Sequence, residues 1–241
     1  MGILSSMGIG SADVDLVLES ERVTAGESLD GTVEVDGGNE AQTVDEIYGA
    51  LRTAYRTDEG SYTTTITEFT LTEGFTVGAG ESLTYDVAID VPAHTPTTVF
   101  GPTEVWIDTG LDIDWAADPD DKDHISVEPP ETLRTFHDAV GGLGFDLRTA
   151  TTVTSTGTQF AREREFVQEF EYEPVAEAYR DDLDELEVVV DAGGDRLDVE
   201  LEIDATDTLL SERETVTRLT VDEADEDALR ERLREEIESS S

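Results

Sequence analysis

The chain has 241 residues, 37% of them hydrophobic, and 59 acidic side chains against 15 basic ones give it a formal net charge of −44. It has no cysteine, which excludes disulfides, thiolate nucleophiles and cysteine-ligated zinc. It also has no basic patch to neutralise phosphates, which argues against direct nucleic-acid binding.

The length suits one large domain or two ordinary ones. High charge with modest hydrophobicity is the usual mark of disorder, but here apolar residues alternate in register over many segments. The acids are spread along the whole chain, and Lys122 is the single lysine among the bases. In molar salt the Debye length shrinks to about 3 Å and the self-repulsion of such a chain is screened. The composition therefore reads as the cytoplasmic protein of an extreme halophile, with hydrated salt cations at its acidic surface. No apolar run is long enough for a membrane-spanning helix, and the first residues lack the charged and apolar regions of a signal peptide.

In chain order the dominant period is two. Val14, Leu16 and Leu18 alternate with Asp13, Asp15 and Val17, and Val33 and Val35 follow. Ile47, Gly49, Leu51 and Tyr55 continue the pattern, then Phe69 with Leu71 and Phe75 with Val77. From Leu83 to Val91 the apolar side alternates strictly with small or acidic residues, and Val105 with Ile107, then Leu111, Ile113 and Trp115, complete the first block. Turn signals at Ala25-Gly26, Gly37-Gly38-Asn39, Glu59-Gly60 and Gly78-Ala79-Gly80 separate these runs, as in an antiparallel sandwich.

Pro129-Pro130 breaks the pattern, and Leu133, Phe136 and Val140 recur at helical spacing, with Gly141-Gly142 as the expected stop. Strands resume at Phe145–Leu147, Phe166–Tyr172, Leu186–Val190, Leu197–Ile203 and Val216–Val221. A final helix is expected, capped by Asp222, with Leu229, Leu233 and Ile237 as its stripe and Glu226–Arg230 as an i,i+4 pair. The expected fold is all-β: two tandem β-sandwich lobes over 1–128 and 129–221, joined by a short linker helix, with a C-terminal helix and tail over 222–241.

Motifs for chemistry are few. His94, His124 and His137 form no cluster, and there is no H-E-x-x-H, G-x-S-x-G or P-loop. Neither a catalytic residue nor a cofactor-binding residue is assigned, and no cofactor is expected. Asp118, Asp120, Asp121 and Asp123 are oxygen donors close enough in sequence to ligate Ca²⁺ or Mg²⁺, although the run lacks the glycine and terminal glutamate of an EF-hand loop and equally suits a solvated loop. A divalent-cation-dependent sensor or enzyme is therefore the alternative function.

The residues also carry a family resemblance. Gly8-Ile9-Gly10 with Ala12, Val14-Asp15 and Leu18, then Gly37-Gly38 and Thr95-Pro96, are similar to its first half. The most specific stretch runs from Val105 to Ile113 and on to Asp118-Pro119, Asp121 and Asp123; in the second half, Phe166–Tyr172 and Asp184–Val188 match. Together these resemble the sporulation-control regulator family, the stage-zero "M" proteins, in a haloarchaeal form that departs mainly in charge and in Asp108, where many relatives carry histidine. The resemblance implies arrestin-like lobes and a non-enzymatic regulatory or scaffolding role in the cytoplasm. A haloarchaeon forms no endospores, so the family name does not carry the process over.

In that reading, unknown protein partners dock by strand addition or loop contacts on the Val105–Ile113 and Phe166–Tyr172 strands. Trp106, Asp108, Phe166 and Gln168 are the candidate partner-binding residues, while Trp106, Trp115, Phe166 and Phe170 equally suit a sandwich core. A homo-oligomer built through the C-terminal helix is a further expectation.

Overall fold

The structure is a computed structural model and describes residues 12–113, 120–193, 196–205, 213–221 and 225–240. The chain forms two compact units. Unit 1 takes Met1–Thr53, Thr63–Thr95 and Glu104–Val127, and unit 2 takes Ala54–Tyr62, Pro96–Thr103 and Glu128–Ser241.

Unit 1 stacks two sheets. The first pairs β1 (Asp13–Leu18), β3 (Ser28–Asp36) and β6 (Ser82–Asp90) in the order β1-β3-β6, all antiparallel. The second takes β2 (Arg22–Thr24), β4 (Gln42–Thr57), β5 (Gly60–Val77), β7 (Val105–Ile113) and β8 (Asp120–Glu128) in the order β5-β4-β7-β8-β2. Alternation decides what each strand buries. Val14, Leu16, Val33, Val35 and Ile89 from one sheet meet Val44, Ile47, Leu51, Ile107, Leu111 and Ile125 from the other in a common core. Val44 and Ile47 both reach that core although three positions apart, because the β4–β7 register shifts between Val44 and Glu46, and an irregularity of that kind re-phases the strand.

Unit 2 carries one antiparallel sheet in the order β13-β12-β11-β10-β9, built from β9 (Phe145–Thr154), β10 (Phe166–Pro174), β11 (Leu183–Ala192), β12 (Leu197–Ala205) and β13 (Arg213–Val221). Its inner face contributes Phe170, Tyr172, Leu186, Val188, Val199, Leu201 and Leu219 to the core. Helices α1 (Glu131–Leu143) and α2 (Glu226–Ser240) supply the rest through Leu133, Phe136, Val140, Leu229, Leu233 and Ile237. Burying one such side chain is worth about 1.5–3 kcal/mol. The apolar stripe of α2, a candidate oligomer contact from sequence alone, is thus used inside unit 2.

Both helices differ in detail from the sequence expectation. α1 runs through Gly141 and Gly142 and stops at Gly144, whose φ of 93° gives the left-handed cap. The extra residues bring Leu143 into the core. Gly142 stays small for another reason, since a Cβ there would come 2.4 Å from the Arg230 Nε of α2. At the start of α2, Asp225 Oδ1 accepts the Ala228 N–H at 3.1 Å and acts as the cap. The expected cap, Asp222, lies outside the described residues, as does Trp115.

Candidate partner-binding surface

Alternation along β7 sends Val105, Ile107 and Leu111 into the core of unit 1, so Trp106, Asp108 and Gly110 occupy the opposite face of the sheet. The strand registers bring neighbours to them. Arg52 of β4 lies opposite Trp106 and Ala50 opposite Asp108, while from β8 His124 lies opposite Trp106 and Lys122 opposite Asp108. Trp106 is buried although it does not join the core. The Lys122 ammonium sits 4.0 Å above its ring centroid, and the His124 ring is 5.9 Å away. Arg52 Nε meets Asp108 Oδ2 at 3.0 Å. Tyr48 covers Gly110 so closely that a Cβ there would come within 2.4 Å of the ring.

The three aspartates of this run that are described, Asp120, Asp121 and Asp123, do not share one side of β8. Asp120 lies opposite Gly110 on the outer face, whereas Asp121 and Asp123 lie opposite Thr109 and Ile107 on the other. Asp121 is already occupied by backbone, accepting Leu16 N–H at 3.1 Å and Lys122 N–H at 2.8 Å. Burial pushes the Asp123 carboxyl up to about 7, helped by the negative charges of Asp121, Asp15 and Glu21. Asp118 lies outside the described residues. Among the described residues no three or more acidic or imidazole groups are placed to hold a metal ion.

Phe166 and Gln168 belong to β10 in unit 2. Phe166 is buried and stacks on Tyr55 at 6.5 Å between ring centroids. Gln168 is buried too, with both ends of its amide engaged. Its Oε1 accepts the Thr97 N–H and hydroxyl, each at 2.9 Å, and its Nε2 donates to the Thr97 carbonyl at 2.7 Å. The amide thereby clasps the segment 96–103 to the sheet. Gly101 of that segment lies against Ala150, whose carbonyl oxygen a Cβ would approach to 2.2 Å. Its Phe100 packs edge-on against His137 and Phe170 at 4.7 Å and 6.2 Å.

His137 of α1 lies within unit 2 and shares a hydrogen bond through Nδ1 with the Tyr172 hydroxyl. Its Nε2 meets no hydrogen-bond partner among the described residues. Burial lowers the imidazole to about 4 and pushes the Tyr172 phenol up. A buried neutral imidazole among rings is suited to packing, since charging it would need water.

A sequence profile of the SpoOM protein family matches residues 1–207. The chain belongs to that family. A curated relative, the sporulation-control protein spo0M of Bacillus subtilis (strain 168), is 37% identical over 206 residues, spanning 84% of this chain and 79% of the relative. The crystal structure of Spo0M, sporulation control protein, from Bacillus subtilis superposes with a TM-score of 0.84 at 33% identity, covering 97% of this chain and all of the solved one. The all-β, two-lobed arrestin-like architecture expected from sequence is therefore the family fold. Every residue of the Trp106 face falls within the span matched by the SpoOM family, whereas α2 begins beyond it. Arg52 and Tyr48 belong to this face without any motif to mark them; their signal is the register that sets Arg52 opposite Trp106 and Tyr48 opposite Gly110. No helix among the described residues is long and apolar enough to cross a membrane.

Proposed function

We propose that the chain is a non-enzymatic regulator that holds protein partners on its arrestin-like lobes. The observation that carries this reading is the match of residues 1–207 to a family with a curated relative named as a sporulation-control protein. The Trp106 face supports it, because a buried tryptophan held outside the core cluster, under Lys122 and beside Arg52 and Asp108, builds a chemically distinct surface in a strongly acidic chain. The composition supports a cytoplasmic setting at high salt, where contacts at direct range outweigh the protein's long-range field. Trp106 and Asp108 are the proposed contact residues on unit 1. On unit 2 the proposed contact strand is β10, with Phe166 and Gln168 shaping it from beneath. β10 is paired to β9 and β11 and β7 to β4 and β8, so strand addition on these two strands is closed and contact falls to their faces.

Co-purification from cells lysed at native salt tests the reading. Partners should be enriched over an acidic control protein of equal charge and should diminish with Trp106→Ala. Recovery of the same proteins by bait and control would remove its basis.

A further inference from the structure

A groove of about 450 Å³ lies over the paired strands β4 and β5 on unit 1, lined by Glu46, Tyr48, Arg52, Glu68, Phe69 and Thr70 among others. Two glycine approaches shape its surroundings. Phe69 lies so close over Gly49 that a Cβ there would meet the ring at 2.1 Å, and Tyr48 lies over Gly110 in the same manner. Carboxylates stand on both strands, with Glu46 Oε2 accepting the Thr70 hydroxyl at 3.2 Å. The one cation in this lining, Arg52, is tied to Asp108 at 3.0 Å. The charges of Glu46 and Glu68 therefore remain once that pair is set aside.

Next to the groove the chain already shows how this sheet face treats cations. Lys122 is held over the Trp106 ring and Arg52 against the Asp108 carboxylate. An aromatic surface and a carboxylate together hold an ammonium or guanidinium that has lost part of its water. The groove offers both, in the ring of Tyr48 and the carboxylates of Glu46 and Glu68, with room for a side chain. With a net charge of −44 the whole chain also favours a cationic visitor. In molar salt that attraction is screened beyond about 3 Å, which leaves selection to direct contact.

We propose that this groove receives an arginine or lysine side chain from a basic segment of a partner protein. The assignment rests on the partner-holding reading and gives that partner its chemistry. Planar guanidinium fits better than ammonium, since it pairs with a carboxylate through two N–H groups while stacking on a ring.

The probe is a nine-residue peptide of alternating Thr and Val with one central arginine, set against the same peptide with neutral citrulline. Both are titrated in about 2 M KCl, where the Debye length is below about 3 Å, with amide chemical shifts followed on the full chain. The arginine peptide should shift residues 46–52 and 68–70, and Glu46→Gln with Glu68→Gln should weaken it at least tenfold. The charge-matched control Glu34→Gln with Asp86→Asn, on β3 and β6, should bind within twofold of wild type, and all variants should keep the wild-type melting temperature. Equal binding of the citrulline peptide, equal weakening by the control pair, or self-association lost in the Glu46/Glu68 variant without peptide binding would overturn the assignment. If the peptide does not bind while partners still co-purify, the groove assignment falls and the partner reading stands. If the peptide binds and no partner is enriched, the partner reading falls instead.

Discussion

At the scale of single residues, two buried polar groups carry unusual consequences for unit 2. His137 is neutral in the fold at pH values where a free imidazole would be charged. Its folded pKa of about 4 lies below the ordinary value of 6.5, so between these values the unfolded chain binds more protons. Stability should therefore fall as pH drops from 6.5 towards 4. His137→Gln retains a partner for Tyr172 and removes this titration. Urea unfolding at high salt should show wild type losing on the order of 3 kcal/mol more than the variant across that window. Parallel pH profiles would contradict the buried-imidazole account. Gln168 is legible in part from sequence alone. It shares the apolar side of its strand with Phe166, Phe170 and Tyr172, and a glutamine placed there needs hydrogen-bond partners. That the partner is Thr97 is not legible, because the two residues are 71 positions apart and no pattern in the sequence links them. Trp106 shows the complementary difficulty, since its size suggests core and only the phase of Val105 and Ile107 turns it to the other face.

At the scale of elements, the outer face of the unit 2 sheet sets acids opposite one another. Glu171 of β10 pairs across to Glu187 of β11, Glu187 to Glu202 of β12, and Glu185 to Asp204. Like charges directly opposite are destabilising. Burial and then the charges of Glu169, Glu185, Asp204 and Glu171 push Glu187 up to about 7, and burial with Glu171 and Glu185 raises Glu169 as well. The raised folded value of Glu187 means stability is present below its ordinary value of 4.5 and is lost as pH rises through 7, opposite in sign to His137. Glu187→Gln should raise the melting temperature at pH 8 by about 2–4 °C, allowing for solvent screening, and leave it unchanged near pH 4. A shift of equal size at both pH values would count against the cross-strand repulsion.

The helices follow their sequence pattern in kind and depart from it in extent. The pair Gly141-Gly142 has the composition of a stop, yet only Gly144 takes the left-handed conformation. A Cβ added at Gly141 would meet nothing within 4 Å, whereas one at Gly142 would meet Arg230. Gly141→Ala should stabilise by about 0.5–1 kcal/mol through helix propensity. Gly142→Ala should gain less or lose stability as Arg230 is displaced, and thermal melts of the two variants would rank them.

At the scale of the whole molecule, strand periodicity and turn residues are enough to read an all-β chain, because alternation records which side of a strand is buried. Which stretches complete which unit is not readable, since β4 and β5 extend their tips into unit 2 and the segment 96–103 joins it as well. The fragment 129–241 would lack Thr97 and Phe100, leaving Gln168 and the rings of Phe170 and His137 uncovered. It should therefore fail to give a cooperative melt, and adding a synthetic peptide spanning 94–104 should restore some protection from proteolysis; a fragment that melts as sharply as the full chain would argue that the clasp is dispensable. The clasp also bears on descent. A gene joined from two halves at one breakpoint near residue 128 would inherit neither unit whole, so the two units of this chain are not interchangeable cassettes divided at one point in the sequence. Their history is expected to be one of joint inheritance.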